Sequence, residues 1–233
     1  MSKPTTAEVY RQIRDKIVQR ELPMGAKINQ AAMAERLGAS RTPVISALHK
    51  LESEGLVDNI HNSGFYVHRL TIKELADLFA FREALNTIMV NDLILTMTDE
   101  RLDELEALFA PFQGAEEIDR QEYALADIAF HSKMLAWCDN DLAKDANEKL
   151  QILNRSWSAG LVRSPQQTIR EHLDIIAAFR HRDGEAARRL MREHILSTLE
   201  LLQATLDNLR RLGLDPRTIP LDEVDLSEKG RPA

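Results

Sequence analysis

The chain has 233 residues, 44% of them hydrophobic, and a formal net charge of −7. That length supports two domains with cores of their own. No apolar run approaches the roughly 18 residues of a membrane span, and the single Cys138 excludes an intrachain disulfide framework and a thiolate zinc cluster.

The charge is unevenly divided. Residues 1–70 carry ten Lys/Arg against seven Asp/Glu, and the remainder carries 20 against 30. A locally basic face can meet nucleic acid even on an acidic whole. The opening MSKPTTAEVYRQIRDK has no apolar stretch of the kind a secretory signal needs. The expected compartment is therefore the cytoplasm.

Taken in chain order, Thr5 or Thr6 can cap a first helix reaching about Arg20, with Val9, Ile13 and Ile17 four apart on its buried stripe. Leu22-Pro23-Met24-Gly25 reads as a turn. Asn29 can cap a second helix, Gln30 to Leu37, which Gly38 ends. Ser40 is placed to cap a third, with Pro43 tolerated in its first turn and Val44, Ala47, Leu48 and Leu51 on its inner face. Two short helices joined by Leu37-Gly38-Ala39-Ser40 make a helix-turn-helix. Residues 56–60 and 65–68 then alternate in strand fashion around Asn62-Ser63-Gly64, which predicts a β-hairpin wing.

From Thr71 onward the periodicity is helical throughout, in segments of about 72–97, 99–112, 117–138, 141–160, 165–181 and 184–212. Their short connections favour antiparallel neighbours. The expected fold is mostly α: a winged helix-turn-helix over residues 1–70, then an antiparallel all-helical bundle over 71–212. A tail over 213–233, containing Pro216, Pro220 and Pro232, is expected to be mobile or laid over the surface. Nothing flexible separates the wing from the first bundle helix.

Inside the bundle one set of residues stands out. Asp127 and His131 are four apart, so a helix presents both from one face, one turn apart. His172 and His194 follow in two later helical segments, in Arg-Glu-His-Leu and Arg-Glu-His-Ile. One carboxylate and three imidazoles converging in a bundle would bind a divalent metal. Zn²⁺ or Ni²⁺ suits an imidazole-rich site, and the carboxylate also admits Mn²⁺. A metalloenzyme would need a placed acid or base, but there is no HExxH motif and no carboxylate marked by spacing as a base. We therefore expect no enzyme activity.

The run from Ala34 through Ser40-Arg41-Thr42-Pro43-Val44 to Leu48, with Leu51-Glu52-Ser53-Glu54-Gly55-Leu56-Val57, resembles the winged helix-turn-helix of the GntR family of bacterial transcription regulators, over roughly residues 7–68. The bundle, over about 72–205, is similar to the FCD ligand-binding domain of the FadR-type branch. The marks are Phe81-Arg82-Glu83-Ala84-Leu85, Asp127-x-x-Phe130-His131, Glu171-His172-x-x-Ile175 and His194-Ile195.

The resemblance implies a homodimer on double-stranded operator DNA. Ser40, Arg41 and Thr42 would be at the DNA, with the wing residues Asn62 and Gly64. It implies Asp127, His131, His172 and His194 as metal ligands, and Arg82 clamping a small carboxylic-acid effector. Asn86, Asn154 and Arg155 are further effector candidates, with Trp157 and Ser158 beside them. Ile45 stands where the family usually has arginine, Ala31 where a polar or basic residue is frequent, and Asn86 where glutamate is common. The function so implied is a metal-dependent, ligand-responsive regulator, in the first place a repressor. The alternative is a sensor in which metal occupancy itself is the signal.

Overall fold

The computed structural model describes residues 3–226 and 231–232. Thr5 starts helix α1 (Thr6–Val18) with a reciprocal capping box. Its hydroxyl accepts from the Glu8 amide, and the Glu8 carboxylate accepts from the Thr5 amide. Val9, Ile13 and Ile17 of α1 pack on Val44, Leu48 and Leu51 of α3 (Arg41–Ser53). Between them, Asn29 caps α2 (Gln30–Arg36), accepting from the Ala31 and Ala32 amides at 3.0 and 3.1 Å. Gly38, at φ 61°, makes the left-handed turn toward α3. Ser40 holds the N-cap position of α3, but its side chain accepts no bond from the helix amides.

Strands β1 (Val57–Ile60) and β2 (Gly64–Val67) pair antiparallel, with Val57 opposite Val67. The backbone of residues 25–28 covers the outer edge of β2. Ile28 N donates to Phe65 O at 2.8 Å, and Val67 N donates to Ala26 O at 2.9 Å. The wing therefore presents no bare strand edge on that side.

The bundle comprises α4 (Ile72–Thr96), α5 (Asp99–Phe109), α6 (Arg120–Trp137), α7 (Asp141–Leu150), α8 (Ile152–Ser158), α9 (Pro165–Arg180) and α10 (Gly184–Arg211). A 3₁₀ turn, Ala110–Phe112, prolongs α5. The long helices α4 and α10 pack along each other. Leu85, Met89, Phe109, Tyr123, Phe130 and Met191 are among the residues that fill the main core. Helix α6 starts at Arg120 rather than near 117 because Asp119 caps it, accepting from the Gln121 and Glu122 amides.

The single helix expected over 141–160 is two helices. Gln151 breaks it at φ 48°, in the left-handed region. Side chains take over the interrupted backbone bonds. Gln151 Nε2 donates to Glu148 O at 2.6 Å, and Asn147 Oδ1 accepts from the Leu153 amide at 3.0 Å. After the break α8 runs with a new rotational phase, and this matters for the site.

A third apolar cluster ties the domains together, with Leu70, Ile72 and Leu75 against Ile195, Leu202, Leu206 and Leu221. Residues 213–226 of the tail lie along this junction. Leu221 is buried, and its amide donates to Leu70 O at 2.8 Å. Arg69 pairs with Asp222 and Glu223 at 2.9 and 2.8 Å. Residues 227–230 and 233 of the tail fall outside the described residues. Among the described residues no helix is long and apolar enough to cross a membrane.

Candidate metal centre and its cavity

Helices α6, α9 and α10 bring Asp127, His131, His172 and His194 together. One ligand atom from each lies within 4.8 Å of the others. A donor set of that span closes on a divalent ion with small side-chain shifts, since ligand atoms about 2.0–2.2 Å from an ion sit up to roughly twice that distance apart.

His131 and His172 are fully buried and His194 is 5% exposed. Both ring nitrogens of His131 and Nε2 of His172 are buried without a hydrogen-bond partner. Orphaned imidazole nitrogens facing one another in a core are costly unless something binds them. The residues present therefore fit a metal. Burial, reinforced by nearby positive groups, holds the His131 and His172 imidazoles well below the usual range. Both are then neutral at pH 7, the form that ligates.

Partners outside the cluster orient the rings. His194 Nδ1 lies 2.7 Å from Glu171 Oε2, so it donates there and leaves Nε2 with a free lone pair. Glu171 is in turn gripped by Arg163. Burial opposes its ionisation, but the hydrogen bonds from His194 and Arg163 hold its pKa at about 2. His172 Nδ1 is 3.3 Å from the Tyr123 hydroxyl, which donates to Thr168 Oγ1 at 2.6 Å. That relay makes Nδ1 the protonated nitrogen and aims Nε2 at Asp127 Oδ1, 3.5 Å away. Phe109 stacks on the His172 ring at 4.9 Å and fixes its plane.

A cavity of about 350 Å³ opens beside the cluster. Asp127 and His194 line it, and His131 and His172 are not on its wall. Arg82 lines it too. It is 4% exposed, between the rings of Phe79 and Trp157 at 5.4 and 5.7 Å. Its guanidinium makes no hydrogen bond or ion pair with a described residue, and Nε is buried without an acceptor. Burial lowers its pKa, and the Asp127 charge acts in the opposite direction.

The other expected effector residues are placed differently. Asn86, one turn along α4 from Arg82, is buried with both amide atoms unpartnered but is not on the cavity wall. Asn154 lines a separate depression with Asn147 and Lys144 and donates to Gln151. Arg155 lies against Gly55, just past the end of α3, at the contact between domains. Neither is on the cavity wall, because the break at Gln151 rotates α8 and turns Ser156 and Trp157 to the cavity instead. The side chain of Ser158 is outside the described residues. Arg120, Arg163 and, from α1 and its end, Val18, Gln19 and Arg20 are also on the wall. No spacing rule pointed to these, since they meet the cavity only through tertiary packing.

At the other end of the molecule, Ser40, Arg41 and Thr42 are exposed at the start of α3. Asn62 is exposed at the wing tip with φ 58°, and Gly64 has φ 101° with open space around it. Ile45 is half-buried and Ala31 exposed.

Known proteins match the chain over both domains. The model of the bacterial regulatory proteins of the gntR family matches residues 5–67, and that of the FCD domain matches residues 77–197. The HTH-type transcriptional repressor RspR of Escherichia coli K12 is 27% identical over 198 residues, covering 83% of this chain and 87% of its own. An HTH-type transcriptional regulator in an unstable DNA locus of Streptomyces ambofaciens is 28% identical over 229 residues, covering 92% of each chain. A GntR transcriptional regulator from Rhodococcus sp. RHA1 has the same fold, with a TM-score of 0.72 at 20% identity over 85% of this chain and 97% of that one. The chain belongs to the gntR family of bacterial transcription regulators, in the branch whose C-terminal half is an FCD domain.

Proposed function

We propose that this regulator is a metal-dependent repressor whose DNA binding responds to a small organic acid held in the bundle cavity. One observation carries the reading: a buried guanidinium with no hydrogen-bonded or ion-paired partner, Arg82, faces the same cavity as Asp127 and His194, and the Asp127 charge reaches it only at a distance. A buried cation without a partner is costly, and a carboxylate ligand supplies the partner in bidentate form. Asp127, His131, His172 and His194 would hold the metal, with Zn²⁺ or Ni²⁺ preferred and Mn²⁺ admissible. When bound, it supplies an open Lewis-acidic position for a carboxylate oxygen. The sign of regulation leans on RspR, which is named a repressor.

The test is a thermal-shift screen of the metal-loaded protein against small carboxylic acids, because a ligand of the folded state raises the melting temperature. Acids that stabilise the loaded protein support the reading. A screen without any such acid, together with operator binding that follows chelation alone, replaces it with a sensor of metal occupancy.

On the DNA side, the free amides and dipole at the start of α3 favour phosphate, and Arg41, exposed there, would reach a guanine or a phosphate in the major groove. Arg41→Ala should weaken binding to an operator fragment selected by the wild-type protein by about 1–3 kcal/mol, roughly five- to 150-fold. Unchanged binding in a mobility-shift titration, with the bundle still folded, would remove Arg41 from the interface. A regulator of this kind acts where the chromosome is, in the cytoplasm.

A homodimer on a palindromic site follows from the same reading. Helix α4 carries Phe81, Ile88 and Leu95 at seven-residue spacing, 47%, 41% and 87% exposed, with Ala84 also exposed between them. An apolar stripe of this kind on a long surface helix suits self-association. Ile88→Glu should convert a dimer to a monomer in sedimentation velocity. A variant that stays dimeric moves the interface elsewhere.

A further inference from the structure

Resting on the reading of the cavity as an effector site, we infer that the effector is a dicarboxylate, and that its second carboxylate is bound by Arg20, a residue of the DNA-binding domain.

Arg20 follows α1 directly and adopts φ 61°, the left-handed conformation in which glycine is the usual occupant. The helix end there is closed by Arg20 N donating to Ile17 O and Leu22 N donating to Lys16 O, both at 3.0 Å. A bulky residue in this conformation is unfavourable, and its side chain is what the position gains. That side chain crosses to the bundle and lies on Gly160. A Cβ added at Gly160 would overlap Arg20 Nη1 and stand 3.2 Å from Cζ and 3.3 Å from Cδ. The bare Cα of Gly160 is thus the seat of the guanidinium.

Two facts turn this contact into a binding point. Arg20 lines the same cavity as Arg82, Asp127 and His194. Its guanidinium has no ion pair or hydrogen bond with any described residue. The neighbouring arginines of the wall are engaged, Arg163 by Glu171 and Arg120 by the Leu161 carbonyl. The cavity therefore has one cation buried in the bundle without an ion pair, Arg82, and an exposed one just past the end of α1, Arg20, that makes neither an ion pair nor a hydrogen bond, whereas Arg120 is held by a carbonyl.

A monocarboxylate answers the first only. A dicarboxylate answers both and pins the end of α1 to the bundle. Because α1 packs on α3 through Val9, Ile13 and Ile17, a ligand held by Arg20 acts one helix away from the DNA-reading face. This gives the ligand different affinities for different placements of the winged domain, as any effector of DNA binding must have.

The test compares succinate and glutarate with butyrate and valerate, their monocarboxylate counterparts of equal carbon count, on the full-length metal-loaded protein. Affinity is read by calorimetry, and the end of α1 by hydrogen exchange. The wild type should bind a dicarboxylate at least about tenfold more tightly than its counterpart, with protection of the amides around Arg20 appearing only with the dicarboxylate. Arg20→Asn tolerates the left-handed backbone. It should lose the advantage and the protection, and keep monocarboxylate affinity within about twofold. Arg20→Lys, retaining the charge, should keep part of the advantage. If wild type binds monocarboxylates with no gain for dicarboxylates, or if the gain survives Arg20→Asn, the effector cavity stands and the role of Arg20 is overturned. Binding of neither class overturns the effector reading and this inference with it.

Discussion

His172→Ala should lower divalent-metal affinity by at least about 100-fold, since even the partners that merely orient ligands are each worth about 10–100-fold. The reason is the way this ring is held. His172 is fully buried, stacked on Phe109, and its Nδ1–H is turned toward Tyr123, so Nε2 is its ligating atom. No described side chain outside the cluster offers a substitute at that point. Truncation of a buried ring also leaves a cavity and costs about 2–5 kcal/mol on the scale of large-to-small core changes, so lost metal must be separated from lost fold.

Glu171→Gln makes that separation. Its side chain is 28% exposed and outside the cluster, and its carboxylate accepts the hydrogen bond from His194 Nδ1. This variant should lose about 10–100-fold in metal affinity without opening a cavity in the core, and the cost of its lost pairing with Arg163 is read separately from the melting temperature of the metal-free protein. Chelator competition gives the affinities. Melting with and without metal gives the linkage, about 2.7 kcal/mol of stabilisation when free metal stands at a hundred times Kd. If His172→Ala retains full metal stoichiometry against the chelator, His172 is not a ligand.

Asp127 and His131 were legible as a pair because spacing puts them on one helix face. His172 and His194 were legible only through the family resemblance, since a single histidine in a helix carries no such signal. The winged domain was legible for the same reason as that first pair: caps at Thr5 and Asn29, Gly38 after α2, and alternation around Asn62 are all short-range signals.

What was not legible depends on longer-range geometry. The break at Gln151 has no glycine or proline to announce it, and its backbone is closed by Asn147 and Gln151 side chains. On α8 it is Ser156 and Trp157 that line the cavity, while Asn154 and Arg155 are placed elsewhere. Glu171 adjoins His172 in sequence, but successive helix residues point about 100° apart. Its carboxylate serves His194 on another helix instead. Arg20, at the foot of the DNA-binding domain, reaches the bundle cavity only because the domains are packed without a linker.

Arg82→Met should move stability and ligand response in opposite directions. In the folded protein the Arg82 guanidinium is buried between Phe79 and Trp157 with no counter-charge in contact, and burial lowers its pKa. Methionine keeps the unbranched stem and the contact with both rings while removing the charge. Replacing buried ionic groups by apolar residues of similar volume is often neutral or stabilising by about 1–4 kcal/mol. Each 1 kcal/mol raises the melting temperature by about 2–4 °C in a chain of this size. Metal retention should be unchanged or improved, because a cation is removed from beside a divalent ion.

Ligand binding has the opposite expectation. A divalent cation on one carboxylate and three neutral imidazoles leaves one positive charge, and Arg82 adds a second, so the occupied site attracts an anion. Losing the buried guanidinium partner of a carboxylate costs about 3–5 kcal/mol, a fall in effector affinity of roughly 150- to 5,000-fold. A group that destabilises the fold and is kept by function is the expected form of a trade between stability and activity. The combination is specific: a merely structural arginine would lower the melting temperature when removed and leave the effector's affinity alone. Differential scanning calorimetry of the metal-loaded variant and calorimetric titration with an effector found in the thermal-shift screen decide between them. A less stable Arg82→Met that still binds the effector at wild-type strength would mean that the cavity binds its ligand without Arg82.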